Sequence, residues 1–293
     1  MLDEIRCLVP AGDICGEGAV WHPGQNALYW TDINRFLVHR FDVSSQTAET
    51  WIFSEPVTSV NLTTDEELLL LVLASQVAFW SPRIHPDVRT IYRLTLDSGM
   101  RFNDARVDPR GSLWAGTMRN NVGAQGENLD VKFSDGVLYR IDPDGSVSEW
   151  KTAIGISNTL AWSPDHKIFY FGDSTANAVY SFDYDEATGT ISRERTFLAG
   201  YQHGLPDGSA IDAAGYLWNA RYGGRCLIRV APSGNIDRVI SLPILNPTTC
   251  TFGGPELRTL YIASARSTDQ FSGSIFSLEL KVGGLPEYRF DLR

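Results

Sequence analysis

The sequence predicts an all-β protein that folds as a six-bladed β-propeller with four-stranded antiparallel blades. Two observations lead to this prediction. A unit of about 40 to 55 residues repeats along the 293-residue chain, and periods of this length are typical of propellers. Within the units, short stretches of alternating apolar and polar residues are separated by turns, and no comparable helical periodicity appears.

Each unit contains a polar turn followed by an apolar strand. The clear copies are HPGQNALYW (22–30), DPRGSLW (108–114), SPDHKIFY (163–170), DAAGYLW (212–218) and GPELRTLY (254–261). A weaker sixth copy, TDEELLL (64–70), has no Gly or Pro in its turn. The next strand of the unit has aromatic and β-branched residues alternating with polar ones, as half-buried strands do. It recurs at 37–42, 137–142, 179–183 and 227–230.

Ring closure in a propeller usually requires one terminus to complete the blade that the other began. We expect Ile5–Val9 to do this beside the C-terminal strands. No linker divides the sequence, so residues 1–293 are expected to form a single domain. Three long loops depart from the repeat, at 81–89, 119–136 and 267–273, and such loops often carry specificity.

Composition and charge exclude several classes of protein. The formal net charge of −10, without a basic patch, argues against nucleic acid or an anionic membrane as a partner. The N-terminus does not resemble a signal peptide, and the longest aliphatic run, 68–74, is too short to span a bilayer. We therefore expect a cytoplasmic protein, a monomer or weak homo-oligomer, with its four cysteines reduced.

Polar residues recur at equivalent places ahead of four of the turns, at Glu17, Asn103, Asn158 and Asp207. In a propeller, such positions converge on the central axis. Carboxylates and amides that meet there need a compensating cation, because buried charges must be paired or coordinated. Oxygen ligands suit Ca²⁺, Mg²⁺ or Mn²⁺, while Zn²⁺ and Fe²⁺ remain possible. The alternative is that these side chains only bond turn backbones.

Five motifs resemble the senescence marker protein 30/gluconolactonase family, which includes regucalcin, and bacterial xylonolactonases are especially similar. They are GEGAVW (16–21), RFND (101–104), SNTLAWSPD (157–165), PDG (206–208) and CTFGGP (250–255). The resemblance covers essentially the whole chain in family order. It implies a six-bladed propeller that hydrolyses a small sugar-acid lactone, either an aldonolactone or an aldarolactone.

The resemblance also implies one divalent metal ion, held by Glu17, Asn158 and Asp207, which acts as a Lewis acid on the lactone carbonyl. Asp207 would be the general base that takes a proton from the attacking water. Arg101 and Asn103 would contact the substrate.

The sequence departs from the family pattern in two places. Thr159 stands where Gly is usual, so we expect a slightly different local backbone. After Met118, where regucalcin-like members place a substrate-binding Glu, the sequence has Arg119, Asn120 and Asn121. Together with Arg221, this predicts a substrate with its own carboxylate, such as an aldaric-acid lactone.

The predicted substrate contacts are therefore Arg101, Asn103, Arg119, Asn121 and Arg221. His203, four residues before Asp207, is also predicted to contact the substrate.

Two other functions stay open. A phosphotriesterase-like hydrolase would use the same metal site, and a non-catalytic calcium-binding or interaction propeller would use the fold as a platform. The sequence contains no G-x-S-x-G elbow, P-loop, dinucleotide fingerprint or H-E-x-x-H motif, so serine hydrolase, nucleotide-binding and zinc-peptidase functions are disfavoured.

Overall fold

The computed structural model of the protein describes residues 4–94, 99–130 and 133–292. In these ranges the chain forms six small sheets, each of four antiparallel strands, and one of them has an additional short strand. The described residues contain no α-helix, only the 3-10 turns Pro23–Gln25, Pro82–Ile84 and Pro255–Leu257. The predicted six-bladed β-propeller is confirmed.

The blades follow one another along the chain. Blade 1 consists of β2 (Gly16–His22), β3 (Ala27–Asp32), β4 (Leu37–Asp42) and β5 (Thr47–Ile52). Blade 2 consists of β6 (Val57–Thr63), β7 (Leu69–Leu73), β8 (Gln76–Trp80) and β9 (Val88–Arg93), joined by β25 (Arg289–Phe290). Blade 3 consists of β10 (Met100–Val107), β11 (Leu113–Arg119), β12 (Gly136–Ile141) and β13 (Val147–Ile154).

The second half of the chain has the same arrangement. Blade 4 consists of β14 (Ser157–Trp162), β15 (Ile168–Asp173), β16 (Ala178–Asp185) and β17 (Thr190–Ala199). Blade 5 consists of β18 (Leu205–Ile211), β19 (Leu217–Tyr222), β20 (Cys226–Val230) and β21 (Ile236–Ser241). Blade 6 consists of β22 (Asn246–Gly253), β23 (Thr259–Ala265), β24 (Ile275–Glu279) and β1 (Ile5–Val9).

The first strand of each blade faces the central axis. These innermost strands contact one another in the order β2, β6, β10, β14, β18 and β22, and β22 returns to β2. The N-terminal strand β1 pairs antiparallel with β24, which closes the ring as predicted. All four cysteines are free thiols, as expected.

The repeated turn is held together by its aspartate. Asp108 Oδ1 accepts hydrogen bonds from the backbone amides of residues 110 and 112, both at 2.9 Å, and its Oδ2 accepts the indole N–H of Trp114 at 2.9 Å. Asp212 makes the same contacts in blade 5, including one from Trp218 at 3.0 Å. The turn requires a positive φ, which Gly111 supplies. The motif therefore recurs because one carboxylate satisfies both the turn and a buried indole.

The C-terminal segment contributes a feature that the repeat did not predict. Strand β25 pairs in parallel with the innermost strand β6. Ahead of it, Glu287 accepts a hydrogen bond from Thr251 on β22 at 3.0 Å and lies 3.5 Å from Arg106 on β10. The ring of Phe290 packs against Phe79. The segment thus crosses the innermost strands of several blades and ties them together.

Throughout the described part of the chain, no helix is both long and apolar enough to span a membrane.

Candidate active site

A cavity of about 450 Å³ lies where the innermost strands of four blades meet. Its lining brings together six of the predicted metal and substrate contacts. They are Glu17, Arg101, Asn103, Asn121, Asn158 and Asp207. The four that come from equivalent positions of the repeat lie on β2, β10, β14 and β18. Residues distant in sequence converge because each begins its own blade at the axis.

The strands that carry the three predicted metal ligands depart from regular pairing beside them. The register shifts between Glu17 and Val20 on β2, between Asn158 and Leu160 on β14, and between residues 206 and 209 on β18. A β-bulge bends its strand and redirects a side chain, and bulges are common beside active sites. These irregularities interrupt the ladder where the three side chains line the cavity.

Thr159 adopts a left-handed backbone conformation with φ of 51°, which matches the φ of 57° at Gly18, the residue after Glu17. A β-branched residue is strained there, whereas glycine is not. The local backbone thus has a conformation typical of glycine, with threonine in its place. The Thr159 hydroxyl offsets the strain, because it donates a hydrogen bond to the carbonyl of Asp207 and lies 3.0 Å from Oγ of Ser209.

Two carboxylates accept hydrogen bonds from the backbone just ahead of two predicted metal ligands, Glu17 and Asn158. Asp32, at the end of β3, accepts hydrogen bonds from the backbone amides of residues 14 and 15 at 2.9 and 3.1 Å. Asp173, at the end of β15, accepts those of residues 155 and 156 at 2.9 and 3.2 Å. Each thereby fixes the segment that enters the strand of Glu17 or Asn158. The sequence signal for both is an acidic residue that ends the second strand of the blade.

Arg101 orients two amides at one side of the cavity. Its Nη1 donates to the Oδ1 of Asn103 at 2.7 Å and to the carbonyl of Phe102 at 2.7 Å. Its Nε and Nη2 both donate to the Oδ1 of Asn121, at 3.1 and 2.6 Å. Burial lowers the pKa of Arg101 to about 10, and only 3% of the residue is exposed. Because the guanidinium donates to the Oδ1 atoms of Asn103 and Asn121, the amide N–H groups of both side chains point away from Arg101.

The amide of Asn103 continues this chain of hydrogen bonds to a predicted metal ligand. Its Nδ2 donates to the Oδ1 of Asn158 at 3.2 Å and to the carbonyl of Ser157 at 2.8 Å. The Nδ2 of Asn158 donates in turn to Ser174, at 2.8 Å. The Ser174 hydroxyl donates to the carbonyl of Pro206 at 2.6 Å. Because the Nδ2 of Asn158 donates to Ser174, its Oδ1 is the end of the amide that faces Asn103.

Three carboxyl groups influence one another electrostatically in an environment that disfavours their ionisation. Burial raises the pKa of Glu17 to about 8, and it raises the pKa of Asp207 well above its usual range. The neighbouring Asp104, whose own pKa burial raises to about 6, adds to both shifts. Ionising all three groups requires a compensating positive charge.

These donors fit a divalent cation. Glu17 and Asp207 supply carboxylate oxygens and Asn158 supplies an oriented amide oxygen, which are the ligand types that hard cations prefer. Within residues 4–94, 99–130 and 133–292, no three His, Cys, Asp or Glu side chains cluster with a spacing suitable for a metal. A metal at this cavity would therefore need an uncharged oxygen ligand beside Glu17 and Asp207, and the amide of Asn158 could supply one.

The structure places three predicted substrate contacts outside the cavity lining. Arg119 pairs with Asp135, with Nε 3.1 Å from a carboxylate oxygen. Arg221 is only 1% exposed, and its guanidinium is bonded to backbone carbonyls and amide side chains. His203 is exposed and contributes its carbonyl to Arg221.

A loop between β11 and β12 covers part of the cavity. Asn121 and Asn128 of this loop both line it. Asn34, in the turn between β3 and β4, donates to the carbonyl of Gly126 at 2.7 Å and to the Oδ1 of Asn128 at 3.0 Å. These hydrogen bonds connect the loop of blade 3 to blade 1. The Gly/Asn-rich stretch at 119–136 predicted a specificity loop, but the partner in blade 1 was not predicted.

Several further residues line the cavity without having been predicted. They are Ile14, Cys15, Ile33, Asn34, Met118, Asn128, Ile156, Ser174, Leu205, Tyr222, Ala265 and Arg266. Arg266 is exposed, and its Nη2 donates to the carbonyl of Gly12 at 2.7 Å. The cavity wall therefore has an apolar part and carries cationic groups at Arg101 and Arg266.

Residues 15–266 match the family described as SMP-30/Gluconolactonase/LRE-like region. This chain belongs to that family. The resemblance inferred from the motifs is confirmed, and the matched residues include every strand that carries a predicted metal ligand.

Individual members of the SMP-30/gluconolactonase family resemble the chain over nearly its full length. Pentonolactonase XacC of Haloferax volcanii is 33% identical over 291 residues, with 95% of each chain covered. Human regucalcin is 33% identical over 302 residues, with 98% of each covered. The crystal structure of a calcium-binding protein, regucalcin from Agrobacterium tumefaciens, superimposes with a TM-score of 0.90 at 25% identity, covering 99% of this chain and 98% of the other.

Proposed function

We propose that this member of the SMP-30/gluconolactonase family hydrolyses the lactone ring of a sugar acid, and that it uses one divalent metal ion held by Glu17, Asn158 and Asp207. The observation that carries the proposal is the convergence of two carboxylates with raised pKa values, the partly buried Glu17 and the buried Asp207, with one oriented amide oxygen in a cavity of about 450 Å³. Family membership and the similarity to a pentonolactonase support the substrate class.

The bound ion supplies Lewis-acid polarisation of the lactone carbonyl. Asp207 takes the proton of the attacking water, because a carboxylate within the cavity is a suitable base once a neighbouring cation keeps it ionised. Asn158 and Glu17 complete the ligand set. Asp207 is therefore the catalytic residue of the proposed mechanism. Glu17, Asn158 and Asp207 are its three metal ligands.

Substrate hydroxyls are bound beside the metal ligands. Asn103 and Asn121 present amide groups there, and Arg101 fixes both. Asn128 adds a further amide from the loop that Asn34 fastens. A cavity lined by several amides suits a polyhydroxylated substrate, because an amide side chain can donate to and accept from hydroxyl groups.

The test is proton release from a panel of aldono- and aldarolactones, with a phosphotriester for comparison. Metal-stripped protein is measured first, and then protein supplied with Ca²⁺, Mg²⁺, Mn²⁺, Zn²⁺ or Fe²⁺. We expect hydrolysis of a lactone only after one of these metals is added. Metal binding without acceleration of any lactone would overturn the proposal and favour a calcium-binding propeller. Turnover confined to the phosphotriester would favour the phosphotriesterase-like function.

A further inference from the structure

Arg221 is a buried cation whose hydrogen bonds are all internal to the protein. Its Nη2 donates to the carbonyl of Gly204 at 2.6 Å and to the Oδ1 of Asn177 at 2.8 Å. Its Nη1 donates to the Oδ1 of Asn219 at 3.1 Å, and its Nε lies 3.4 Å from the carbonyl of His203. All three guanidinium nitrogens are therefore engaged, and the residue is 1% exposed. Burial lowers its pKa to about 10.

The position of Arg221 in its blade is informative. In blades 1 and 4, the residue just before the metal ligand pairs with Asp32 and Asp173, as Gly16↔Asp32 and Ser157↔Asp173. In blade 5, the residue before Asp207 pairs with Arg221, as Pro206↔Arg221. Arg221 thus occupies the same register position as the two carboxylates.

In all three blades the side chain at this position bonds the backbone ahead of the ligand. The side chain is negatively charged in blades 1 and 4 and positively charged in blade 5. Asp32 and Asp173 accept hydrogen bonds from backbone amides two to three residues ahead of Glu17 and Asn158. Arg221 donates to backbone carbonyls three and four residues ahead of Asp207, those of residues 204 and 203. In every case a charged side chain fixes the segment that leads into the ligand.

A second connection links Arg221 to Asp207 itself. Because the Oδ1 of Asn219 accepts from Arg221, its Nδ2 is directed to the carbonyl of Asp207 at 3.0 Å. The same Nδ2 lies 3.1 Å from Oγ1 of Thr159 and 2.9 Å from Oγ of Ser209. The guanidinium therefore fixes both the segment ahead of Asp207 and the carbonyl of Asp207.

We propose that Arg221 is a positioning residue that sets the geometry of Asp207, rather than a contact to the substrate. The inference rests on the proposed function, since Asp207 is there both metal ligand and base. Residues that orient a metal ligand are expected to change metal affinity by roughly 10- to 100-fold when they are removed. A substrate contact would instead change recognition of one class of lactone.

The test compares Arg221→Met with Arg229→Met. Arg229 is a matched control, because it lies in the same blade, its side chain is 15% exposed, and it pairs with Asp212 and Asp237 at 2.7 Å. Binding of Mn²⁺ and Ca²⁺ to the metal-stripped proteins is measured by calorimetry. We expect roughly 10- to 100-fold weaker binding for Arg221→Met and unchanged binding for Arg229→Met.

The second readout is kcat and KM for two lactones of equal ring size, one with a carboxylate and one without. Positioning predicts that Arg221→Met lowers kcat by the same factor for both lactones. Unchanged metal affinity, or an increase in KM confined to the carboxylate-bearing lactone, would overturn the inference. If Arg221→Met does not fold, Arg221→Lys decides the question, because one ammonium cannot reproduce the planar fork and intermediate metal affinity is then expected.

The Asp207→Ala variant separates failure of this inference from failure of the proposed function. If that variant binds metal as tightly as the wild type, the proposed ligand set is wrong whatever Arg221 does. If it loses metal while Arg221→Met and Arg221→Lys retain full affinity, only the positioning role is wrong.

Discussion

Ser174 links two of the predicted metal ligands, because its Oγ accepts the Nδ2 hydrogen bond of Asn158 at 2.8 Å and donates to the carbonyl preceding Asp207 at 2.6 Å. Only 5% of Ser174 is exposed, so water does not readily replace these bonds. The hydroxyl therefore fixes which end of the Asn158 amide faces the cavity.

We expect Ser174→Ala to weaken divalent metal binding by roughly 10- to 100-fold, since an amide without its partner loses its fixed orientation. Calorimetric titration of metal-stripped protein measures the change. Ser174→Thr retains the hydroxyl and should retain most of the affinity. Ser112→Ala is the control, because the hydroxyl of this buried serine donates to Asp142, at 2.6 Å, in a turn of blade 3. Equal affinity in Ser174→Ala and Ser112→Ala would contradict the role of Ser174.

Removal of the metal should make stability depend on pH. Burial raises the pKa of Glu17 to about 8, above its unfolded value of 4.5, so the folded protein retains a proton that the unfolded chain has released. The resulting stabilisation is present at low pH and is lost as the pH rises through about 8. We therefore expect the Tm of metal-stripped protein to fall between about pH 5 and pH 8.

Differential scanning calorimetry at several pH values measures this slope. Glu17→Gln should reduce it, because the amide does not titrate, and saturating Ca²⁺ should reduce it by replacing the proton. A slope that is the same in the wild type and in Glu17→Gln would show that other groups cause the pH dependence.

Fastening of the cavity loop should affect turnover more than stability. A Cβ at Gly126 would lie 2.0 Å from the carbonyl oxygen of Asn34, so Gly126→Ala must separate the loop from blade 1. We expect kcat/KM for the lactone to fall by up to about 100-fold, because the loop positions Asn121 and Asn128. Steady-state kinetics measure this effect.

Gly145→Ala is the matched control for that substitution. Gly145 has a φ of +85°, close to the +81° of Gly126, but a Cβ at Gly145 would have no other atom within 4 Å beyond its chain neighbours. The control shares the backbone strain and lacks the collision. Comparable losses of kcat/KM in both variants would attribute the effect to strain and not to the loop contact.

The C-terminal segment should contribute strongly to stability. Phe290 is 1% exposed and packs against Phe79 with ring centroids 5.9 Å apart. Phe290→Ala is expected to lower the free energy of unfolding by about 3 to 5 kcal/mol, through lost burial and a cavity. Phe271→Ala, at a residue 45% exposed, should change it by less than about 0.5 kcal/mol. Chemical denaturation measures the free energy of unfolding of both variants. An equally small change in Phe290→Ala and Phe271→Ala would contradict a stabilising role for the C-terminal segment.

The fold could be predicted because a propeller repeats its local signals. The Asp–Gly–Trp turn recurs since one carboxylate satisfies both the turn amides and a buried indole, as in Asp108 and Trp114. The parallel strand β25 could not be predicted in this way, because it occurs once and its pairing with β6 joins residues from opposite ends of the chain, Arg289 with Leu62 and Phe290 with Thr63.

The candidate site could be predicted only in part. Glu17, Asn158 and Asp207 occupy equivalent positions, so the repeat itself indicated that they converge. The location of Arg221 was not indicated, because a cation next to a functional motif has the same sequence signal whether it faces the cavity or the backbone. Its register opposite Pro206 distinguishes the two, and register is a property of strand pairing that a single sequence does not show.

The dual role proposed for Asp207 is to bind the metal and to accept the proton of the attacking water. Asp207→Asn tests it most directly, because an amide oxygen remains a possible ligand, as at Asn158, but is not a base. Metal affinity by calorimetry and kcat for the lactone are measured on the same preparation. We expect that the variant still binds metal, more weakly, and that kcat at saturating metal falls by roughly 10²- to 10⁴-fold. A variant that is saturated with metal and retains the wild-type kcat would contradict it.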